Sequence, residues 1–100
     1  MIKHIVVWKL KDQAHGNDKA TNARLIKEML ENLRGKIAGM PRLDVGVDFS
    51  ATEASSDLAL YSEFENQAAL DAYQVHPAHV AAKAFIGGAT SERRLVDYNT

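Results

Sequence analysis

The sequence contains no cysteine among its 100 residues. This absence excludes thiol nucleophiles, disulfide bonds, iron–sulfur clusters and cysteine-ligated zinc together. The acid/base groups that remain are carboxylates, hydroxyls, lysines and four histidines. Any catalysis by this chain must therefore rely on oxygen or nitrogen side chains.

Long apolar runs and an excess of positive charge are also missing. Apolar runs such as residues 5–8 are far shorter than the roughly 20 residues that a membrane-spanning helix needs. Twelve Lys and Arg against thirteen Asp and Glu leave a formal charge of -1, so no strong field attracts nucleic acid or anionic membranes. The first residues lack the small-residue cleavage site of a secretory leader. We expect a cytoplasmic protein that binds neither nucleic acid nor membrane.

The composition that is present is typical of one globular domain. Hydrophobic residues make up 46% of the chain and charged residues 25%, which is close to the globular average and far from that of disordered segments. Chains of this length rarely form two separate cores. We therefore predict a single domain over residues 1–100.

Hydrophobic spacing predicts the order strand, helix, strand, strand, helix, strand. The expected strands are residues 2–10, 43–49, 58–65 and 92–99. The first helix should begin at a cap, Asn17 or Asp18, and continue to the glycines at 35 and 39 with an inward stripe comprising Ala23, Ile26, Leu30, Leu33 and Ile37. Asn66 should cap a second helix over 67–75. Pro77 should then start a short helix that reaches about residue 84, before two glycines at 87 and 88 loosen the chain.

This order is that of the α+β ferredoxin-like fold, with βαββαβ topology and a four-stranded antiparallel sheet. Right-handed crossovers place the first and third strands in the centre, and both carry apolar residues on two faces. Two helices can cover only one face of such a sheet. The other face would be a large exposed apolar patch, with contributions expected from Ile5, Val7, Val45, Val47 and Tyr61. We therefore predict a homodimer in which two sheets pack face to face.

Two of the four histidines lie in residues 73–80, which read Tyr-Gln-Val-His-Pro-Ala-His-Val. Histidine transfers protons near neutral pH, so this segment is the best candidate for chemistry. His79 falls in the first turn of the short helix, where the positive helix end lowers its pKa and keeps it available as a base. Tyr73 could bracket a small substrate with His79. Each could instead be a core residue that fills space.

Three other polar residues leave alternatives open. His76 is either a turn or capping residue before proline, or a metal ligand together with His79, although no third ligand accompanies them. His4 shares a strand face with Val6 and Trp8, where its partner could be Tyr73, Asp97 or a ligand. Asp97 could instead be a solvated carboxylate near the end of its strand. We expect no metal site.

Three segments together resemble the stress-responsive A/B barrel (Dabb) family. They are residues 3–11 (KHIVVWKLK), residues 71–80 (DAYQVHPAHV) with an H-P-x-H motif, and residues 96–98 (VDY). The resemblance implies protomers that pair into a dimeric α/β barrel and need no cofactor. In the family's polyketide cyclases, the position matched by His79 is the acid/base residue and the one matched by Tyr73 hydrogen-bonds the substrate. His4 matches a histidine in the pocket, and we add Trp8 and Asp97 to the expected substrate-binding residues.

Two functions of different classes follow. The first is cofactor-independent acid/base chemistry on a small carbonyl or polyketide-like substrate, with His79 and Tyr73 as catalytic residues. The second is a small-molecule-binding or stress-response protein that uses the same cavity without turnover. In either case the wall of the pocket is expected to come from the two helices, with candidates Ala20, Ala23, Ile26, Lys27, Ala81, Ala82 and Ala84.

Overall fold

The computed structural model describes residues 1–100, which form six strands and three helices. The strands are β1 (Ile2–Leu10), β2 (Gln13–Ala14), β3 (Asn17–Asp18), β4 (Arg42–Val47), β5 (Leu58–Phe64) and β6 (Thr90–Asn99). The helices are α1 (Lys19–Glu31), α2 (Gln67–Val75) and α3 (Pro77–Ala89). The β2–β3 hairpin was not predicted, because two-residue strands carry no hydrophobic period. The order of the larger elements is as expected.

The four long strands form one antiparallel sheet in the order β4-β5-β1-β6. Val6 of β1 faces Leu60 of β5, and His4 of β1 faces Asp97 of β6. The two central strands, β1 and β5, are those with apolar residues on both faces. The chain therefore has the predicted α+β ferredoxin-like fold.

The helices cover one face of this sheet, and the hydrophobic core lies between the two layers. On β1 the covered face carries His4, Val6, Trp8 and Leu10, all of them buried. Larger side chains from the helices complete the core, among them Ile26, Leu30, Leu70, Tyr73 and Ile86. The side chain of His4 is thus enclosed in an otherwise apolar layer.

Capping residues fix where the first two helices begin. The Asp18 carboxylate accepts a hydrogen bond from the Thr21 amide at 2.8 Å, and the Asn66 side chain accepts one from the Ala69 amide at 2.9 Å. Each bond satisfies a backbone donor that has no partner inside its helix. Of the two caps considered for α1, Asp18 is therefore the one used.

The second face of the sheet has no helix packed on it. Ile5, Val7 and Tyr61 are half-buried there, and Val96 and Tyr98 are about half exposed. One end of this face is polar, because Glu63 accepts hydrogen bonds from Lys3 Nζ and from the Tyr61 hydroxyl, both at 2.6 Å. These two donors, Lys3 first, hold the pKa of Glu63 below its usual value. The opposite end carries Lys9, Glu92 and Arg94, and the β4 edge carries Arg42 and Asp44, so the apolar part of the open face is its centre.

Two valines predicted for this open face lie on the other side of the sheet. Val45 faces Leu60 and is buried, and Val47 faces Leu58. Val47 is 49% exposed because β4 ends at this residue, and Phe49, beyond the strand end, is 96% exposed. Strand 43–49 was therefore predicted to begin one residue late and to end two residues late, and its open-face residues are Arg42, Asp44 and Gly46.

Helix ends also differ from prediction. α1 ends at Glu31, and Leu33 and Ile37 are buried in a series of tight turns that follows it. Hydrogen bonds spanning three residues, such as Leu33 N–H to Leu30 O at 3.0 Å, keep the inward spacing after the helix has stopped. α3 instead continues past residue 84 to Ala89. A Cβ at Gly88 would lie 2.7 Å from the His15 ring, so the glycine there makes room for His15 rather than ending the helix.

Replacing Gly39 by alanine is expected to destabilise the fold by about 1–3 kcal/mol. Gly39 has φ +74°, which disfavours any side chain, and an added Cβ would lie 2.7 Å from the Cβ of Ala69 on α2. Gly35 has a similar φ of +77° but nothing within 4 Å, so Gly35→Ala carries the backbone cost alone. Urea unfolding should show a larger loss of free energy for Gly39→Ala. Equal losses would contradict the role of the Ala69 contact.

None of the three helices combines the length and apolarity required to cross a membrane.

Candidate functional site

A cavity of about 570 Å³ lies between the sheet and the helices and is the candidate site. β1, β5, β6 and all three helices contribute to its lining. Its buried lining includes His4, Val6, Trp8, Leu60 and Tyr73. Its exposed lining consists of Lys83, Gly87, Arg93 and Leu95. The cavity therefore has an enclosed floor on β1 and α2 and an exposed rim on α3 and β6.

The junction between α2 and α3 positions two of the site residues. His76 ends α2, and its Nδ1 accepts a hydrogen bond from the Ala78 amide at 3.1 Å, which caps α3. Pro77 supplies the first residue of α3, where no amide donor is needed. The change of direction brings the rings of Tyr73 and His79 to a centroid distance of 4.1 Å, tilted by 32°. The turn between α2 and α3 thus places a phenol beside an imidazole, and we call Tyr73 and His79 together the reactive corner of the cavity.

Two polar atoms in this corner have no hydrogen-bond partner. They are the Tyr73 hydroxyl and Nδ1 of His79, and both are buried. Buried polar atoms are nearly always paired, since leaving one unpaired costs about 1–3 kcal/mol. The Tyr73 hydroxyl can donate a hydrogen bond, and the neutral His79 imidazole, whose ring contacts that of Tyr73, can accept one through the nitrogen that carries no hydrogen.

Burial shifts the pKa values of both groups. It raises the pKa of Tyr73 to about 12, so the phenol stays protonated and can donate a hydrogen bond. It also lowers the pKa of His79, and the positive charges of Lys83 and Arg93 add to this effect against an opposing contact with the Gln74 backbone. The pKa of His79 is thus lowered, as predicted from its place in the first turn of α3, but desolvation is the main cause of the shift. His79 is thus neutral at pH 7 and can accept a proton.

His4 has a partner of its own. Its Nδ1 hydrogen-bonds the Oδ1 atom of Asp97, which lies directly opposite on β6. When the imidazole is neutral, a hydrogen on Nδ1 leaves Nε2 as the acceptor nitrogen. Asp97 therefore fixes the tautomer and orientation of the His4 ring. The centroid of this ring lies 6.1 Å from that of the Tyr73 ring.

Four of the five predicted site residues line the one cavity, namely His4, Trp8, Tyr73 and His79. Asp97 is not in the lining and reaches the site only through His4. His76 caps α3, which was one of the two roles predicted for it. The predicted wall is wrong, because helix α1 contributes Leu30, and α3 contributes Lys83, Ile86 and Gly87 rather than its alanines.

Several lining residues were not identified from the sequence, notably Gln74, Lys83, Thr90 and Arg93. Lys83 could have been found, since it lies four residues after His79 and thus on the same face of α3. Arg93 could also have been found, because it alternates with Asp97 on the strand face that meets the helices. Gln74 and Thr90 lie at helix ends, where no periodic pattern identifies the side that faces the cavity.

His76 and His79 were the candidate metal ligands in the sequence. No three His, Asp or Glu side chains in the structure are grouped as metal ligands would be. His76 uses Nδ1 for the cap.

The chain matches a known protein family over nearly its whole length. Residues 2–100 match the family described as Stress responsive A/B Barrel Domain, or Dabb. No functionally curated protein matches the chain significantly.

Solved structures give a similar result. A dimeric protein of unknown function with a ferredoxin-like fold from Bacteroides fragilis is 35% identical, with TM-score 0.87 over 99% of this chain and 95% of that one. A Dabb family protein with a ferredoxin-like fold from Mesorhizobium loti is 25% identical, with TM-score 0.72 over 99% and 95%. A hydroxynitrile lyase from Passiflora edulis is 19% identical, with TM-score 0.80 over 97% and 90%, a similarity of fold alone.

Proposed function

Because this chain belongs to the stress-responsive A/B barrel (Dabb) family, we propose that it carries out acid/base chemistry without a cofactor on a small carbonyl or polyketide-like substrate. The observation that carries this proposal is the buried pair in the cavity corner. The rings of Tyr73 and His79 are in contact there, and the Tyr73 hydroxyl and the Nδ1 atom of His79 are buried without a hydrogen-bond partner. A carbonyl substrate offers a partner for each.

His79 is the general base in this proposal. Its neutral imidazole would remove a proton from the carbon next to a carbonyl group, and the electron pair left behind would move onto the carbonyl oxygen. Tyr73 would donate its hydroxyl hydrogen to that developing oxyanion. The carbanion equivalent can then attack a second carbonyl of the same molecule and close a ring, after which the proton on His79 returns to the new alkoxide. Protons and electrons balance without an added oxidant or metal.

His4 and Asp97 would support the substrate rather than the proton transfer. Asp97 holds the His4 ring, and His4 lines the cavity beside Tyr73. Trp8 supplies a flat apolar surface on the same strand. The Passiflora protein of the same fold is named a hydroxynitrile lyase, so this fold is compatible with a lyase activity.

The alternative is a binding protein that uses the cavity without turnover. Half of the cavity lining is hydrophobic, and such lining is typical of small-molecule sites in general. In this case Tyr73 and His79 would hydrogen-bond the ligand and no product would form. Saturable binding without product would support this alternative over catalysis.

We expect Tyr73→Phe to lower kcat by about 10²-fold or more while the protein keeps its fold. The substitution removes the hydroxyl and leaves the ring that packs against Phe64 and His79. The assay measures ring-closed product, or deuterium uptake from the solvent, with β-dicarbonyl and linear polyketide-like compounds. Tyr98→Phe is the matched control, because Tyr98 does not line the cavity. Equal rates for the wild type and Tyr73→Phe would contradict the proposed oxyanion contact.

We also propose that the chain forms a homodimer through the open face of the sheet, giving a dimeric α/β barrel. Ile5, Val7, Tyr61, Val96 and Tyr98 form an apolar surface that no element of the chain covers. A twofold axis would cover the same surface on both protomers at once. Such an interface should bury more than about 1,200 Å² in total.

A further inference from the structure

The positively charged side chains divide into two groups. Of the twelve Lys and Arg residues, most bond a carboxylate or a backbone carbonyl, as Arg94 does with Glu92 at 2.7 Å and Lys11 with Gly88 O at 3.1 Å. The side chains of Lys36, Lys83 and Arg93 make no ion pair or hydrogen bond in the structure. Arg93 is the one arginine in this group. Two of these three unpaired cations line the candidate site.

Both cations lie on the rim of the cavity, above the reactive corner. Lys83 follows His79 by four residues on α3, so the two side chains are neighbours on one helix face. Arg93 lies opposite Trp8 in the β1–β6 register, two residues from Leu95, which also lines the cavity. The charge of Lys83 on α3 and that of Arg93 on β6 both lower the pKa of His79, so both side chains are close enough to influence the same imidazole.

Negative charge is missing from the same lining. No Asp or Glu is among the fourteen residues that line the cavity. The nearby carboxylate of Asp97 is already bonded to His4. Adjacent residues show the contrast, since Arg94 and Glu92 neutralise each other while Arg93 has no counter-ion. Lys83 and Arg93 are therefore free to bind an anion that comes from outside the protein.

We propose that Lys83 and Arg93 together bind a carboxylate on the substrate, so that the site selects acidic carbonyl compounds over neutral ones. This inference rests on the proposed function and adds its substrate class. A guanidinium donates two parallel hydrogen bonds to a carboxylate, and an ammonium adds a compact charge. The reacting carbonyl would lie at Tyr73 and His79, the carboxylate at the rim, and the apolar part of the molecule along Val6, Trp8 and Leu60.

The test measures binding, so it does not depend on turnover. The probes are benzoylpyruvate, a β-dicarbonyl compound with a free carboxylate, and its methyl ester, which has the same skeleton without the charge. Calorimetric titration of the wild-type protein should give an affinity about tenfold or more higher for the acid. Lys83→Gln and Arg93→Gln should each lower the affinity for the acid by about tenfold and leave that for the ester unchanged. Added salt should weaken binding of the acid only.

Lys36→Gln is the matched control, since it removes the third unpaired cation at a position outside the cavity. It should change neither affinity. The inference is overturned if the acid does not bind, if acid and ester bind the wild type equally, or if Lys36→Gln weakens the acid as much as the rim variants do. Thermal unfolding checks that the rim variants are folded, as expected for exposed side chains. Acid-selective binding by a protein that forms no product from the linear polyketide-like compounds would leave this inference standing and contradict the catalytic proposal, and turnover of those compounds without acid-selective binding would do the reverse.

Discussion

Replacing His79 by alanine is expected to lower kcat by about 10² to 10⁴-fold, the contribution of a positioned general base. His79 is the imidazole in the cavity whose Nδ1 atom is buried without a hydrogen-bond partner and whose pKa is lowered by burial, so the neutral ring can accept a proton. Removing the ring leaves Tyr73 able to bind the carbonyl oxygen but leaves no base beside it. Substrate should therefore still bind while proton removal slows. Steady-state kinetics on the substrate for which the wild type gives product would measure the change.

The pH profile of the wild type gives a second readout of the same residue. The base is active only when neutral, so the rate should fall as pH drops through the pKa of His79. Burial lowers that pKa from its ordinary value of 6.5, so the midpoint of the acid limb should lie below pH 6.5. No alkaline limb from Tyr73 is expected near neutrality, because its pKa is raised to about 12. His79→Ala should lose the acid limb together with the rate.

His76→Asn is the matched control for this experiment. Asparagine is a good helix cap, so it can replace the bond that His76 makes to the Ala78 amide. The variant removes an imidazole three residues from His79 and should keep the wild-type rate and pH profile. A wild-type rate in His79→Ala would sink the catalytic assignment. Saturable binding with no product from either protein would identify a binding protein instead.

Replacing Ile5 by aspartate is expected to dissociate the proposed homodimer or unfold it. Ile5 lies at the centre of the open face, opposite Tyr61 on β5 and Val96 on β6. Neither neighbour can neutralise a carboxylate, whereas an aspartate at Val7 would lie opposite Arg94. An uncompensated buried charge costs about 3–5 kcal/mol, and a twofold interface would contain two of them.

Light scattering and circular dichroism together decide this prediction. The wild type should have twice the chain mass of 11.0 kDa at micromolar concentration, and Ile5→Asp should either have the chain mass or lose its ellipticity. Val75→Asp makes the same kind of change on α2, where the side chain is 74% exposed, and should leave the dimer intact. A wild-type mass near that of one chain would show that the open face is not a dimer interface.

The fold was predictable because its hydrophobic pattern is regular where the elements are long. Residues 2–10 carry apolar side chains on both faces, as expected of a central strand, and this strand and the α2 helix have the predicted bounds. Errors are found where tertiary contact overrides local preference. Helix α3 continues through Gly88, where the absence of a Cβ leaves space for the His15 ring. Val47 is at a strand end, where alternation no longer decides which side chains are covered.

The candidate site was predictable only in part, for a related reason. His4, Tyr73 and His79 stand out by chemical type in an apolar context, so sequence alone identifies them. Lys83 and Arg93 are ordinary surface residue types. What distinguishes them is the absence of a counter-ion, which depends on how α3 and β6 meet. No one-dimensional pattern contains that information.

The position of β1 also affects how the chain folds. Within these residues β1 precedes every other element, yet its two neighbours in the sheet are β5 and β6, and Ile2 pairs with Asn99. Contacts that join distant parts of a chain form late, since the entropy of closing a long loop comes before the gain from pairing. During synthesis β1 must therefore remain unpaired, with its apolar side chains exposed, until β5 and β6 have been made. A central strand of the native sheet is thus open to aggregation while the elements between it and its partners are synthesised.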